Sequence, residues 1–278
     1  MKNSIKTIFL DVDGTLVADK GLVPHSAIEA IQNARKLGHK VILCTGRAMS
    51  ELYDHILEIN FDGIVACGGN YVVCDQQVLF ERTIPVEDLK ELYRYFDEHG
   101  IHYYAEANSG LYASEGCDAQ LAEISKGLSS SLIHSMDMFR HHLVKGQSLV
   151  REDVTKVSFL GSSHAFESLK SEFEGRFELF DLVVPLFGKN SGEISILGTD
   201  KTVGMDVILK HYQLSIEDSI AIGDGNNDVS MLNYAKVGVA MGNATDLLKS
   251  VAQYITEDVN NDGLAKAFDH LNLVKESV

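Results

Sequence analysis

The segment Lys6-Thr7-Ile8-Phe9-Leu10-Asp11-Val12-Asp13-Gly14-Thr15 decides how the rest of the chain is read. Its first part, Lys6–Val12, is a compact apolar run with β-branched and aromatic content. That is the pattern of a strand buried on both faces of a parallel sheet. Where the run ends, two carboxylates stand two residues apart. Burial beside apolar surface penalises an ionised acid unless a cation or hydrogen bonds compensate. Gly14 then lets the chain leave sharply. Such a pair, set beside a metal, supports two roles: one acid attacks and the other moves a proton. A solvated turn and a calcium loop are the competing readings. The calcium loop fails because no ligand pattern continues to a Glu at loop position 12.

Outward from this strand, helices and strands alternate. Pro24–Leu37 reads as a helix with Ala27, Ile28, Ile31 and Ala34 on one face, stopped by Gly38. Lys40–Cys44 is a second strand, Ser50–Ile59 a helix and Gly63–Cys67 a third strand. The last third alternates in the same way, with helix Thr202–Tyr212, strand Ser219–Ile222, helix Asp228–Ala235, strand Val237–Met241 and helix Leu264–Leu271. This alternation implies right-handed βαβ units and a parallel sheet. The middle differs. Val86–His99 is an amphipathic helix; His102–Ala107 and Leu111–Ser114 flank a turn at Asn108-Ser109-Gly110. Val154–Leu160, Leu179–Val184 and Glu193–Leu197 are strand-like, with a helix near His164–Phe173. We therefore expect an α/β core, residues 1–82 and 191–278, with an α+β domain inserted at 83–190.

The totals narrow the function. A chain of 278 residues, 45% hydrophobic and 23% charged, has ample core for a globular protein. A formal net charge of −16 with no basic patch excludes nucleic acid and anionic membrane as natural partners. No run of about 18 apolar residues is present, and Met1–Leu10 lacks signal-peptide order, so a cytoplasmic protein is expected. Cys44, Cys67, Cys74 and Cys117 form no C-x-x-C pair or zinc spacing and read as reduced core residues.

Three further segments end apolar runs with polar groups, and open parallel sheets bind ligands at the carboxyl ends of their strands. Cys44-Thr45-Gly46-Arg47 offers a hydroxyl and backbone N–H groups to an oxyanion; alone it reads first as a strand–turn–helix connection. Lys201 precedes a helix and can neutralise anionic charge; alone it resembles any surface lysine. Ile222-Gly223-Asp224-Gly225-Asn226-Asn227-Asp228 sets two acids four apart, which suits Mg2+, although Asn, Asp and Gly also make turns.

Together the four segments resemble the haloacid dehalogenase-type hydrolases, in particular the Cof-like group with a large α/β cap between the second and third motifs. Asp11 and Asp13 match the first motif, Thr45 the second, Lys201 the third, and Asp224 with Asp228 the fourth. The resemblance implies a Rossmann-like core, a substrate-selecting cap and a Mg2+-dependent phosphatase acting on a small phosphorylated metabolite. It implies that Asp11 is the nucleophile and that Asp13 is the proton donor and acceptor. Mg2+ would be held by Asp11, the Asp13 backbone carbonyl and Asp224, with Asp228 behind them. Thr45, Gly46, Lys201 and Asn227 would bind the phosphoryl group. Two departures stand out: Cys67-Gly68-Gly69-Asn70 where relatives carry Asn-Gly-Ala, and Thr202 after Lys201 in place of Gly. Arg47, Asn70, Lys189 and Asn190 are candidates for substrate contact. A sugar phosphomutase and a non-enzymatic phosphometabolite sensor are the alternatives; the few arginines of the middle region tilt toward hydrolysis. The oligomeric state is not readable.

Overall fold

The structure, a computed structural model, describes residues 4–18, 21–182, 187–198 and 200–275. The chain begins with β1 (Thr7–Leu10), α1 (His25–Lys36), β2 (Lys40–Cys44), α2 (Asp54–Leu57), β3 (Gly63–Ala66), β4 (Tyr71–Cys74) and β5 (Gln77–Glu81). The middle holds α3 (Val86–Glu98), β6 (His102–Ala107), β7 (Gly110–Ala113), α4 (Cys117–Ser125), α5 (Ser130–His142), β8 (Leu143–Val144), β9 (Val154–Leu160), α6 (Phe166–Glu172), β10 (Phe177–Asp181) and β11 (Gly192–Ile196). It closes with α7 (Lys201–Tyr212), β12 (Ser219–Gly223), α8 (Val229–Tyr234), β13 (Val237–Ala240), α9 (Asp246–Val251), β14 (Tyr254–Ile255) and α10 (Gly263–His270).

Two compact units result. The first comprises Met1–Arg47, Leu52–Glu81 and Thr199–Val278; the second comprises Ala48–Glu51 and Arg82–Gly198. The first is built on an eight-stranded sheet ordered β14-β13-β12-β1-β2-β3-β4-β5. Its strands run parallel from β14 to β3, so this is the α/β, Rossmann-like core that the alternating pattern predicts. β1 lies between β12 and β2, and all four of its residues are buried. Its lack of polar alternation follows from that central position. The edge hairpin β4–β5 is antiparallel and was not evident in the sequence. Asp75 and Gln76 make its turn at φ 48° and 62°, without the Gly that marks such turns. The expected helix Ser50–Ile59 is a single 3-10 turn, Met49–Glu51, followed by the four-residue α2.

The second unit has a six-stranded sheet ordered β10-β11-β9-β6-β7-β8, antiparallel except between β7 and β8. One face packs Tyr103, Ala105, Val157, Phe159 and Ile194 against Leu89, Leu92, Phe96 and Leu169 of α3 and α6. A separate cluster joins Tyr104, Leu111 and Leu160 to Cys117, Leu121, Met136 and Phe139 of α4 and α5. Those two helices are hard to see in the sequence because each buries so few apolar residues in that cluster. β11 lies beyond the expected 83–190 span. It pairs with both β9 and β10, so this unit runs on to Gly198. The expected strand Leu179–Val184 is β10 as far as Asp181; residues 183 and 184 lie outside the described residues.

Candidate active site

Adjacent parallel strands must deliver their carboxyl ends to one edge, and here those ends carry the polar residues. Asp11 follows β1 and extends its ladder, its N–H donating to Ile222 O at 3.0 Å. Thr45 follows β2, its N–H donating to Val65 O at 2.8 Å. Asp224 follows β12, and Lys201 opens α7 behind the Asp200 cap, whose carboxylate accepts from Thr202 N–H at 2.8 Å. Gly69 makes room for that cap: at φ 104°, an added Cβ would lie 2.0 Å from Asp200 O.

Lys201 is no surface lysine. It is 2% exposed, and its Nζ donates to Asp11 Oδ1 at 2.6 Å and to Asp228 Oδ1 at 2.5 Å. Asp228 is fully buried, and its Oδ2 accepts from the backbone N–H of Asp224 and of Gly225, each at 3.0 Å. Both Asp228 oxygens are thereby engaged, and the 223–228 loop is tied to Lys201. Asp11, Asp224 and Asp228 bring an oxygen apiece within 4.8 Å of one another. An all-oxygen carboxylate set of this kind fits a hard divalent cation and offers nothing to a soft one.

Burial, first, and the Asp228 charge, second, push the Asp11 carboxyl up to about 8 against the pull of Lys201. The same two causes lift Asp224 to about 6. Burial works against the Lys201 charge, but Asp11 and Asp228 outweigh it and hold the ammonium protonated. Two acids raised by burial and by the Asp228 charge form a site that gains from a cation. Cys44 lies beside them, yet burial pushes its thiol up to about 12, so it stays protonated and unreactive.

The turn from Val12 to Val17 sets Asp13 apart. Gly14 N–H donates to Val17 O at 3.0 Å and Val17 N–H to Val12 O at 2.8 Å. Gly14 stands at φ 77°, and an added Cβ would meet Asp224 Oδ2 at 2.2 Å, so the turn presses directly on the acidic loop. Asp13 points outward, its side chain 62% exposed, and Arg47 grips it with two bonds, Nε–Oδ2 at 2.9 Å and Nη2–Oδ1 at 2.6 Å. The Arg47 N–H also donates to Thr45 Oγ1 at 3.1 Å, which joins the second segment to the first.

The remaining predicted residues divide. Gly46 sits between Thr45 and Arg47, half-buried; Asn227 is exposed on the loop before α8. Asn70 is buried, and its Nδ2 donates to Cys67 O at 3.1 Å, a bond within its own turn. Lys189 and Asn190 belong to the second unit: Lys189 is exposed, and Asn190, at φ 53°, donates from Nδ2 to Ser162 O at 3.2 Å. Two residues went unread in the sequence. Thr15 Oγ1 donates to Asp224 Oδ1 at 3.4 Å. Asn243 donates from Nδ2 to Gly14 O at 2.8 Å and to Asp224 Oδ2 at 3.4 Å, and accepts from Val259 N–H at 2.9 Å. Its signal was available: Met241-Gly242-Asn243 puts a polar residue just past β13, as the other segments do after their strands.

Fold and site together define a hydrolase class built on a parallel sheet, with a lysine-bridged acid cluster at the strand ends. The sequence model of the haloacid dehalogenase-like hydrolases matches residues 8–268, and the chain belongs to that family. It is 25% identical, over 96% of this chain and 95% of the relative, to the 5-amino-6-(5-phospho-D-ribitylamino)uracil phosphatase YcsE of Bacillus subtilis (strain 168). It is likewise 25% identical, over 96% of this chain and 98% of the relative, to the pyridoxal phosphate phosphatase YbhA of Escherichia coli (strain K12). Among solved structures it is similar to BT4131, described as a subclass IIB sugar phosphatase: TM-score 0.75, 25% identity, 96% of this chain and 99% of that one. Among the described residues, no helix is long and apolar enough to cross a membrane.

Proposed function

We propose that this protein is a Mg2+-dependent phosphatase of small phosphorylated metabolites, working through a phosphoryl group carried on Asp11. The observation that carries the reading is the buried Asp11–Lys201–Asp228 arrangement beside Asp224 at the strand ends. Relatives named as phosphatases of different metabolites support the class and leave the substrate open.

Asp11, Asp224 and the Asp13 carbonyl would hold Mg2+, with Asp228, both oxygens engaged, orienting the loop that carries Asp224. When bound, the ion neutralises charge on the transferring phosphoryl oxygens. Lys201 adds a fixed positive charge, and Thr45, the Gly46 N–H and Asn227 offer donors to the same oxygens. Asp11 attacks phosphorus as the bond to the leaving oxygen breaks, and Asp13 gives that oxygen its proton. Asp13 then takes a proton from a water that attacks the phosphorus now bonded to Asp11. That step frees inorganic phosphate and restores the Asp11 carboxylate. Arg47 holds Asp13 in place for both transfers. The second unit, on the same proposal, selects the substrate.

The test is hydrolysis of p-nitrophenyl phosphate. Mg2+ supports it, EDTA removes it and Asp11→Asn abolishes it. Full activity in that variant sinks the mechanism.

A further inference from the structure

Asn243 stands three residues past β13 and takes no part in the proposed chemistry, yet the backbone around it is tied on both sides. Met241 N–H donates to Gly223 O at 2.9 Å and Thr245 N–H to Asp224 O at 3.0 Å, which fixes the segment to the end of β12. Gly242 N–H donates to Glu257 O at 3.0 Å. A Cβ on Gly242 would lie 2.4 Å from Asp258 N, so the loop after β14 packs directly on it.

The Asn243 amide uses both of its ends. Its Oδ1 accepts from Val259 N–H at 2.9 Å, and its Nδ2 donates to Gly14 O at 2.8 Å and to Asp224 Oδ2 at 3.4 Å. Turned over, the amide would set its NH2 against the Val259 N–H and its oxygen against two acceptors, so the partners fix which end is which. Thr15 Oγ1 donates to the other Asp224 oxygen at 3.4 Å, and the carboxylate is thereby held from both sides. One side chain joins Asp224 to the turn that carries the Asp13 carbonyl, and these are two of the three groups assigned to Mg2+. Asn243 is exposed, where water can satisfy an amide and a side chain adds little to stability, so folding alone does not account for the arrangement.

We infer that Asn243 is a positioning residue that makes the cation site selective for Mg2+ over Ca2+. Mg2+ demands a near-octahedral set of oxygens at about 2.0–2.1 Å. Ca2+ accepts about six to eight oxygens at about 2.3–2.6 Å and takes a carboxylate through one oxygen or both. A carboxylate held at both oxygens and locked to the Asp13–Gly14 turn resists the swing and the spreading that a larger ion needs. Without Asn243, Asp224 can turn both oxygens to the ion, and the Gly14 turn can withdraw. This rests on the Mg2+ assignment of the phosphatase reading above.

The test is calorimetric titration of the whole protein with MgCl2 and with CaCl2, with thermal melts in EDTA as the folding control. Asn243→Ala lowers Mg2+ affinity by about 10- to 100-fold and Ca2+ affinity by much less, so the Mg2+/Ca2+ affinity ratio falls by about tenfold or more. Asn243 lines a cavity of about 470 Å3 with Asp13, Gly14 and Arg47, through which water can reach Val259 N–H in that variant. Asn243→Asp keeps the acceptor for Val259 N–H and replaces the donor by an oxygen. It also lowers the ratio, because Ca2+ takes an extra oxygen more readily, and it carries the test if Asn243→Ala does not fold. A merely loosened loop weakens both ions alike, so equal losses, an unchanged ratio or unfolding of both variants overturns the proposal. If the wild type binds no Mg2+, the Mg2+ assignment itself fails, and this proposal with it.

Discussion

Mg2+ affinity should be steeply pH-dependent, and the site's own acids set the slope. Asp11 is raised to about 8 and Asp224 to about 6, so at neutral pH a cation must displace a proton to bind. At pH 9 both acids are ionised. At pH 7 about one-tenth of Asp11 is, which weakens apparent affinity about tenfold, or about 1.4 kcal/mol. By pH 5 Asp11 contributes about a further hundredfold and Asp224 about a further tenfold. The total is about 10^4 between pH 9 and pH 5, with a slope near zero at pH 9, near one proton per ion around pH 7 and toward two below pH 6. The assay is calorimetric titration with MgCl2 across this range, repeated in buffers of different ionisation enthalpy. Release of about one proton per ion is expected at pH 7. Affinity that is flat with pH, or binding without proton release, would refute the reasoning.

Other outcomes follow from the same geometry. Lys201→Met leaves Asp11 and Asp228 buried without their shared cation, so denaturant unfolding should show a loss of about 3–5 kcal/mol, and turnover should vanish. Asp13→Asn should slow turnover by about 10^2- to 10^4-fold while Mg2+ affinity by calorimetry changes little, because only its carbonyl is assigned to the ion. Stability of the EDTA-treated protein has a definite sign. Folded Asp11 holds its proton up to about 8, against an ordinary value of 3.8, so its contribution is full below about pH 4 and is lost as pH rises toward 8. Melts of Asp11→Asn should lack that part of the decline. Gly14→Ala strains φ 77° and drives a methyl toward Asp224, so Mg2+ affinity and melting temperature should both fall.

The parallel core was legible because β1, β2 and β12 are short apolar runs ending in polar residues, a signal that survives without any tertiary knowledge. Asp11, Thr45 and Asp224 were singled out by the same signal. Lys201 was not distinguishable by itself: its burial depends on Asp11 and Asp228, which are 190 and 27 residues away. Asn243 carries the same strand-end signal, a polar residue shortly after an apolar run. The edge hairpin β4–β5 and the helices α4 and α5 lacked the turn glycine and the broad apolar face that mark such elements.

The central claim is that Asp11 carries the phosphoryl group, and the most direct measurement is an acid-quenched single turnover with a phosphorus-labelled ester, followed by peptide mapping. The label should appear on the peptide containing Asp11 and be absent from Asp11→Asn. Turnover at the wild-type rate without label on Asp11, or label on another residue, would contradict it.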